Sequence, residues 1–406
     1  FGVRIGLVTD FYYPWVAGPA PVVRGLGHGL ADLGHQTSLL APSSRGSPSV
    51  ESDGPLEVTR VRTVPVPFGY GVRACLPTRV VGTWLHEVRP DVVHIHHPFP
   101  LSSAALFEAR RRGIPVVATN HTIPECILWG IRNRGPLYDI ASWSLARWIV
   151  FLLQRCQAVA TPTATAASML RDLGYDGVIE AISNGIDTAR FSPPDSTEDR
   201  TADIRLYLGL DDRPVVLYTG RLDAEKQMDV WLRAAAQASR QVDAQFVVGG
   251  RGGEQQKLVS LAGELGIASR VLFPGYLSDD DFPMLYHLAD AYMILSPVEL
   301  QSITTLEAVA SGLPVVAVRA GALPELVHHQ ENGYLVERGD WDAAGMAVAA
   351  LLQNAAKRRI MGERSRQVGV DHDVRRSVKQ YERLLAATAA TRGGNQQRER
   401  TGAATH

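Results

Sequence analysis

Cysteine is nearly absent from this 406-residue chain: Cys75, Cys126 and Cys156 stand far apart, with no CxxC pair and an odd count. That excludes a disulfide framework or a zinc knuckle, and a reducing compartment is the simpler setting. Long apolar runs are missing too. The longest, residues 140–153, is interrupted by Arg147 and is too short to span a bilayer. The opening residues 1–10 carry no basic segment and read directly as a strand, so the sequence predicts a cytoplasmic protein with no secretory leader. Charge of one sign is also scarce. The net charge is −1, with +2 over the first 189 residues, which contain no lysine, and −3 over the remainder. Neither balance points to nucleic acid or another polyanion as a partner.

What remains is a chain 45% apolar and 20% charged, the composition of a globular protein, and too long for one comfortable core. Short apolar runs at residues 3–8, 37–40, 92–95, 116–119 and 158–161 alternate with helical patterns, which is the signature of βαβ units and a parallel sheet. The polar stretch 43–54, rich in Ser, Gly and Pro, reads as a mobile loop. Near residues 182–194 the pattern breaks at Asn184-Gly185-Ile186-Asp187 and Pro193-Pro194, then a charged stretch runs to Arg200. Alternation restarts at 215–219 and continues to a helix at 374–387, followed by a polar tail. The expected fold class is α/β with two Rossmann-like parallel-sheet domains. The boundaries read as 1–189, 190–373, a terminal helix at 374–388 returning to the first domain, and a disordered tail at 389–406. Ligands of such sheets bind outside the carboxyl ends of the strands, and those ends are expected to face one cleft.

Two segments carry chemistry. Gly220-Arg221-Leu222-Asp223-Ala224-Glu225-Lys226 ends a strand and precedes a helix, so a guanidinium and an ammonium five residues apart can converge on a diphosphate. A solvated charged loop has the same spacing. The second is Ser296-Pro297-Val298-Glu299-Leu300-Gln301-Ser302-Ile303-Thr304-Thr305-Leu306-Glu307. Its amides at Ser302, Ile303 and Thr304 read as first-turn donors for phosphate or sugar oxygens, and its two carboxylates as hydroxyl acceptors. Glu307 is flanked by Leu306 and Ala308, so its carboxylate enters an apolar surface and requires partners.

With the Asn184–Asp187 linker, these segments make the chain resemble the retaining glycosyltransferases of two-Rossmann (GT-B) architecture, family 4, from residue 3 to about 387. The glutamates Glu299 and Glu307, with seven residues between them, carry most of that resemblance. It implies that Arg221 and Lys226 bind a donor diphosphate, that Glu307 holds the nucleotide ribose, and that Glu299 with Ser302, Ile303 and Thr304 holds the transferred sugar. It also implies that His121 contacts that sugar, and that Gly18 lies in a first loop where the family carries a Gly-Gly pair. Here Pro19 follows Gly18 and supplies no N–H, and Ser302 replaces a family glycine.

The implied activity is metal-independent, retaining transfer of a hexose from a nucleotide-diphosphate sugar, most simply UDP-linked, with no cofactor beyond that substrate. The acceptor is a small molecule or a lipid. A nucleotide-sugar epimerase and a non-catalytic sugar-nucleotide-binding subunit are the rivals. His94, His96 and His97 suggest a metal cluster at first sight, but no carboxylate or cysteine is spaced to complete it. A strand-end histidine lining a cleft is the blander assignment. Asp279-Asp280-Asp281 reads as the N-cap and first turn of a helix running to Ala289. Residues 141–153, with Trp143 and Trp148, read either as a core helix or as a membrane-facing one. Glu299-Leu300-Gln301 and the run His97-Pro98-Phe99-Pro100-Leu101 resemble the branch that glycosylates diacylglycerol, which implies peripheral association with the inner face of a membrane.

Overall fold

The computed structural model describes residues 2–14, 19–65, 73–75, 79–128, 135–194, 200–275 and 277–402. Its internal contacts divide the chain into Phe1–Gly185 with Val374–His406, and Ile186–Asp373.

In the first unit the strands are β1 (Arg4–Val8), β2 (Gln36–Pro42), β3 (Ser49–Asp53), β4 (Leu56–Val61), β5 (Thr63–Pro65), β6 (Arg73–Cys75), β7 (Val92–Ile95), β8 (Val116–Thr119), β9 (Ala158–Thr161) and β10 (Ile179–Ala181). Eight of them form one sheet in the order β10-β9-β8-β7-β1-β2-β4-β3, while β5 and β6 pair separately. The central strands are β-branched and buried on both faces, as a sheet sandwiched between helix layers requires. All pairs in the sheet are parallel except β3 with β4.

That antiparallel pair corrects the reading of residues 43–54 as a loop. Asp53 pairs with Leu56, so Gly54 and Pro55 form the two-residue hairpin turn, with Gly54 at φ +58°, and glycine at the first position of such a loop is itself a hairpin signal. The strand was hidden because β3 is an edge strand with four of its five residues exposed, so it carries no apolar alternation.

The last helix belongs to this unit. Val378, Tyr381, Leu384 and Leu385 join the core around β1 and β8, and Val378 fills the space over Gly29, where a Cβ would stand 2.6 Å from its methyl carbon. The helix runs Val374–Gly402 rather than yielding to a tail after residue 387. Ala386, Ala387, Ala389 and Ala390 carry it on, alanine being the strongest helix former.

The second unit holds β11 (Val215–Thr219), β12 (Gln245–Gly249), β13 (Val271–Leu272), β14 (Ala291–Ile294), β15 (Val315–Val318) and β16 (Gly333–Val336). They form an all-parallel sheet in the order β13-β12-β11-β14-β15-β16. Helix Met228–Ser239 packs Trp231, Leu232, Ala234 and Ala235 onto it, and Trp231 Nε1 donates to Met293 O at 2.8 Å. One element is added and one local reading changes. A helix at Arg200–Tyr207 begins where the charged stretch ends, in a segment to which the sequence pattern assigned no element. The helix after Asp279–Asp281 begins only at Met284. Ser278, not an aspartate, organises the turn: its Oγ accepts from the Asp281 amide and donates to the Asp281 carboxylate at 2.6 Å. Pro283 has no N–H to extend the helix ladder backward.

Candidate functional site

The candidate residues of the second unit collect at the carboxyl ends of β11, β12 and β14. Beyond β11 the chain turns at Gly220, φ +139°, and makes one 3₁₀ turn at Ala224–Lys226. Gln227, left-handed at φ +49°, ends that turn before helix Met228–Ser239 begins. Lys226 Nζ then donates to Glu299 Oε1 at 2.8 Å and lies 3.8 Å from Glu225 Oε1. The Lys226 and Glu299 side chains are only 16% and 11% exposed. Burial works against the ammonium, yet the Glu299 and Glu225 carboxylates outweigh it and hold the Lys226 pKa above its ordinary value.

Arg221 behaves differently. It is 50% exposed and pairs with Asp223 and Glu225. The two cations therefore meet through a shared carboxylate, Glu225, rather than standing free as the spacing suggested.

Glu299 is braced from behind. Ala322 N donates to Glu299 O at 2.8 Å, and Gly321, at φ +54°, approaches so closely that a Cβ would stand 2.6 Å from that oxygen. Arg338 Nη2 donates to Pro297 O at 3.1 Å and ties down the start of the same loop.

The turn after Glu299 leads into helix Ile303–Ala310. Ser302 is its N-cap, with Oγ accepting from Thr305 N at 3.2 Å. The amides of Ser302, Ile303 and Thr304 are then the start-of-helix N–H groups with no acceptor inside the helix. The Thr304 hydroxyl accepts from Tyr292 OH at 2.7 Å.

One turn on, Glu307 finds the partner its apolar setting demands. Tyr286 OH donates to Glu307 Oε2, and the same hydroxyl lies 2.6 Å from Thr219 Oγ1 at the end of β11. Burial pushes the Glu307 carboxyl up to about 7, against the opposing pull of the Tyr286 hydrogen bond and the Arg190 charge.

In the first unit His121 follows β8 and keeps some exposure. Its Nε2 lies 3.3 Å from His96 Nδ1. His94, His96 and His97 are buried rather than lining a solvent-filled surface. Gly18 lies outside the described residues. Among the described residues no group of three His, Cys, Asp or Glu side chains is arranged to hold a metal ion.

Several contributors were not singled out from sequence. Glu225, Arg190 and Tyr286 act across turns or between elements and carry no local signature. The glycines after β12 were legible, as Gly249-Gly250-Arg251-Gly252-Gly253 follows a strand directly. That loop lies flat against the Lys226 loop: a Cβ at Gly250 would fall 1.8 Å from Gly220 O, and one at Gly252 would fall 2.4 Å from Leu222 O.

Comparison with known proteins adds to this geometry. Residues 200–368 match the family described as Glycosyl transferases group 1, and residues 16–190 match Glycosyltransferase Family 4. The chain is 28% identical to the alpha-monoglucosyldiacylglycerol synthase of Streptococcus pneumoniae, over 86% of this chain and 78% of that one. It is 31% identical to the D-inositol 3-phosphate glycosyltransferase of Salinispora arenicola, over 74% and 68%. Among solved structures, Anabaena HepE in complex with UDP-glucose superposes with a TM-score of 0.74 at 21% identity, over 94% of this chain and 99% of that one.

Proposed function

The chain belongs to the group 1 glycosyltransferases of GT-B fold, and from that premise we propose that it transfers a hexose, with retention, from a UDP-sugar to an acceptor hydroxyl. The observation that carries this reading is the grouping of Lys226, Glu299, the Ile303–Thr304 amides and Glu307 at adjoining strand ends of one sheet. Lys226, assisted by Arg221 and the two amides, neutralises the charge that develops on the leaving diphosphate, a term that is commonly the largest in such catalysis. Glu299 accepts hydrogen bonds from the sugar hydroxyls while its other oxygen stays on Lys226. Glu307 accepts from the ribose. His121 is assigned to the transferred sugar. Titration calorimetry with UDP and GDP tests the donor assignment: UDP binding is expected, and binding of GDP alone would replace UDP in this reading.

The reaction needs no metal on this account, because Lys226 and Arg221 supply the positive charge that a cation would bring. Full activity in excess EDTA is the expected result. Loss of activity with chelator, restored by Mg²⁺ or Mn²⁺, overturns it.

A lipid acceptor is favoured by the helix Pro136–Leu153. Its C-terminal half buries Ile149, Val150, Leu152 and Leu153, whereas Leu137 is 83% and Trp143 66% exposed, with Ile140, Trp148 and Phe151 also at the surface. Its first half lies at the surface, and in its second half one face is core while Trp148 and Phe151 stay exposed. Trp148 stacks on Phe151 with centroids 5.6 Å apart and donates from Nε1 to Pro98 O, and Phe107 extends the patch. The cations missing from the global balance are local: Arg155 lies over the Phe151 ring, Arg110 donates to Arg155 O, and Arg147 is exposed beside Trp148. Exposed tryptophan bordered by arginine suits the headgroup region of an anionic bilayer. Among the described residues no helix is long and apolar enough to cross a membrane. The protein is expected to co-sediment with phosphatidylglycerol vesicles, to release with salt, and to lose binding in Trp143→Ser. Protein that stays in the supernatant and glycosylates only water-soluble acceptors would end the lipid proposal.

A further inference from the structure

Four histidines at the carboxyl ends of β7 and β8 form one cluster. The His94 and His96 ring centroids are 4.1 Å apart, His96 and His121 stack at 5.6 Å with planes 11° apart, and His97 lies 5.9 Å from His121. No carboxylate or cation is hydrogen-bonded to these rings among the described residues. Burial drives their pKa values down, His94 to about 3 and His121 to about 4, with His96 and His97 also well below the ordinary value. Near neutral pH each ring therefore carries one N–H and one lone pair, and its partners decide which nitrogen holds the proton.

Two of the rings are set twice over. The Thr119 hydroxyl donates to Tyr381 OH at 3.1 Å, so it can only accept from His94 Nε2, 2.8 Å away. The Thr9 hydroxyl donates to Phe11 O at 2.9 Å, so it accepts from His97 Nδ1. The nitrogens then left as lone pairs, His94 Nδ1 and His97 Nε2, are the ones buried without a partner among the described residues. This is the cheaper arrangement, since an orphaned buried N–H is rarer in proteins than an under-satisfied acceptor.

His96 follows the same rule. Among the described residues its Nε2 is buried and unpartnered, and its only hydrogen bond runs from Nδ1 to His121 Nε2 at 3.3 Å. The proton belongs on His96 Nδ1. His121 Nε2 is then the acceptor, and the His121 proton sits on Nδ1, in the one residue of the four that is only partly buried.

We propose that His96 is a positioning residue that locks His121 in its neutral Nδ1–H tautomer, so that His121 meets its ligand as a hydrogen-bond donor and not as a base. The ligand atom it recognises is a lone-pair oxygen, a sugar hydroxyl or a phosphate oxygen. That identification rests on the transferase reading, whereas the tautomer rests on the histidine geometry alone.

Long-range ¹H–¹⁵N spectra of the ¹⁵N-labelled full chain at neutral pH test the inference, with the His121 signals assigned by their loss in His121→Gln. The expected result is a protonated Nδ1 and a bare Nε2 on His121. His96→Asn, whose side-chain amide stands in for the Nδ1–H, keeps that pattern and most of the kcat. His96→Phe moves the proton of His121 to Nε2 and lowers kcat on the order of tenfold, the loss of roughly one hydrogen bond of ~1.4 kcal/mol. A wild-type His121 protonated on Nε2 overturns the inference, as does an unchanged tautomer in His96→Phe. If His96→Phe does not fold, the wild-type and His96→Asn spectra decide. A wild-type protein with the expected tautomer but no transferase activity leaves this inference standing and removes the functional reading.

Discussion

Replacing Lys226 by alanine is expected to lower kcat for sugar transfer by about 10²–10³-fold, the cost of removing one preorganised group that stabilises developing negative charge. The expectation follows from where the ammonium sits. It is mostly buried, lies 2.8 Å from Glu299, and is held in its charged form by Glu299 and Glu225. Such a cation is in place before the donor arrives and pays no reorganisation as the diphosphate leaves. Alanine also strands Glu299, and breaking a fully buried pair from one side costs up to ~3–5 kcal/mol, so loss of activity could be confused with loss of fold. The double variant Lys226→Ala/Glu299→Ala separates the two, because it removes the stranded charge. Its melting temperature should recover toward wild type while kcat stays low. A Lys226→Ala enzyme within a few-fold of wild-type kcat would remove this residue from the mechanism.

Glu307→Gln is expected to weaken nucleotide binding about 10–100-fold, in line with the ~1.5–3 kcal/mol carried by hydrogen bonds to a charged group. Its pH dependence is the sharper signature. Burial pushes the Glu307 carboxyl up to about 7, and the ribose hydroxyls are best accepted by the ionised form. Below pH 7 the free protein must release a proton in order to bind, so affinity should rise with pH through about 7 and level off above it. Glutamine does not titrate, and its affinity should stay flat across the same range. Calorimetry from pH 5.5 to 8.5 on both proteins measures this. Parallel pH curves for the two would show that Glu307 does not touch the nucleotide.

The parallel strands were legible because their burial is continuous: runs such as Val92-Val93 and Val315-Val316 need only be apolar and short. The Glu299 and Glu307 pair was legible because both carboxylates lie on one strand–turn–helix segment. What escaped depends on contacts that the local residue pattern does not encode, whether the partner is near or far along the chain. β3 is defined by its ladder to β4 and not by its own exposed residues. Glu225 acquires its bridging role only because Arg221 and Lys226 fold back onto it. The hydroxyl of Tyr286, from a short helix, satisfies Glu307 twenty-one residues later in the chain. Gly321 is required by the Glu299 backbone pressed against it, which no pattern around residue 321 announces. The aspartates at 279–281 misled for the opposite reason. Acidic residues ahead of a helix usually cap it, but Pro283 delays this helix and leaves Ser278 to hold the turn.

The central claim is that the Lys226, Glu299 and Glu307 constellation moves a sugar from a nucleotide diphosphate to an acceptor with its anomeric configuration kept. The most direct test incubates the purified protein with UDP-[¹³C]glucose and a mixed panel of diacylglycerol and soluble acceptors, and reads the anomeric carbon of the product by NMR. The account predicts an α-linked glycoside, formed from the α-linked donor and abolished in Lys226→Ala. A β-linked product, an epimerised donor with no glycoside, or binding of the nucleotide with no turnover across the panel would contradict it.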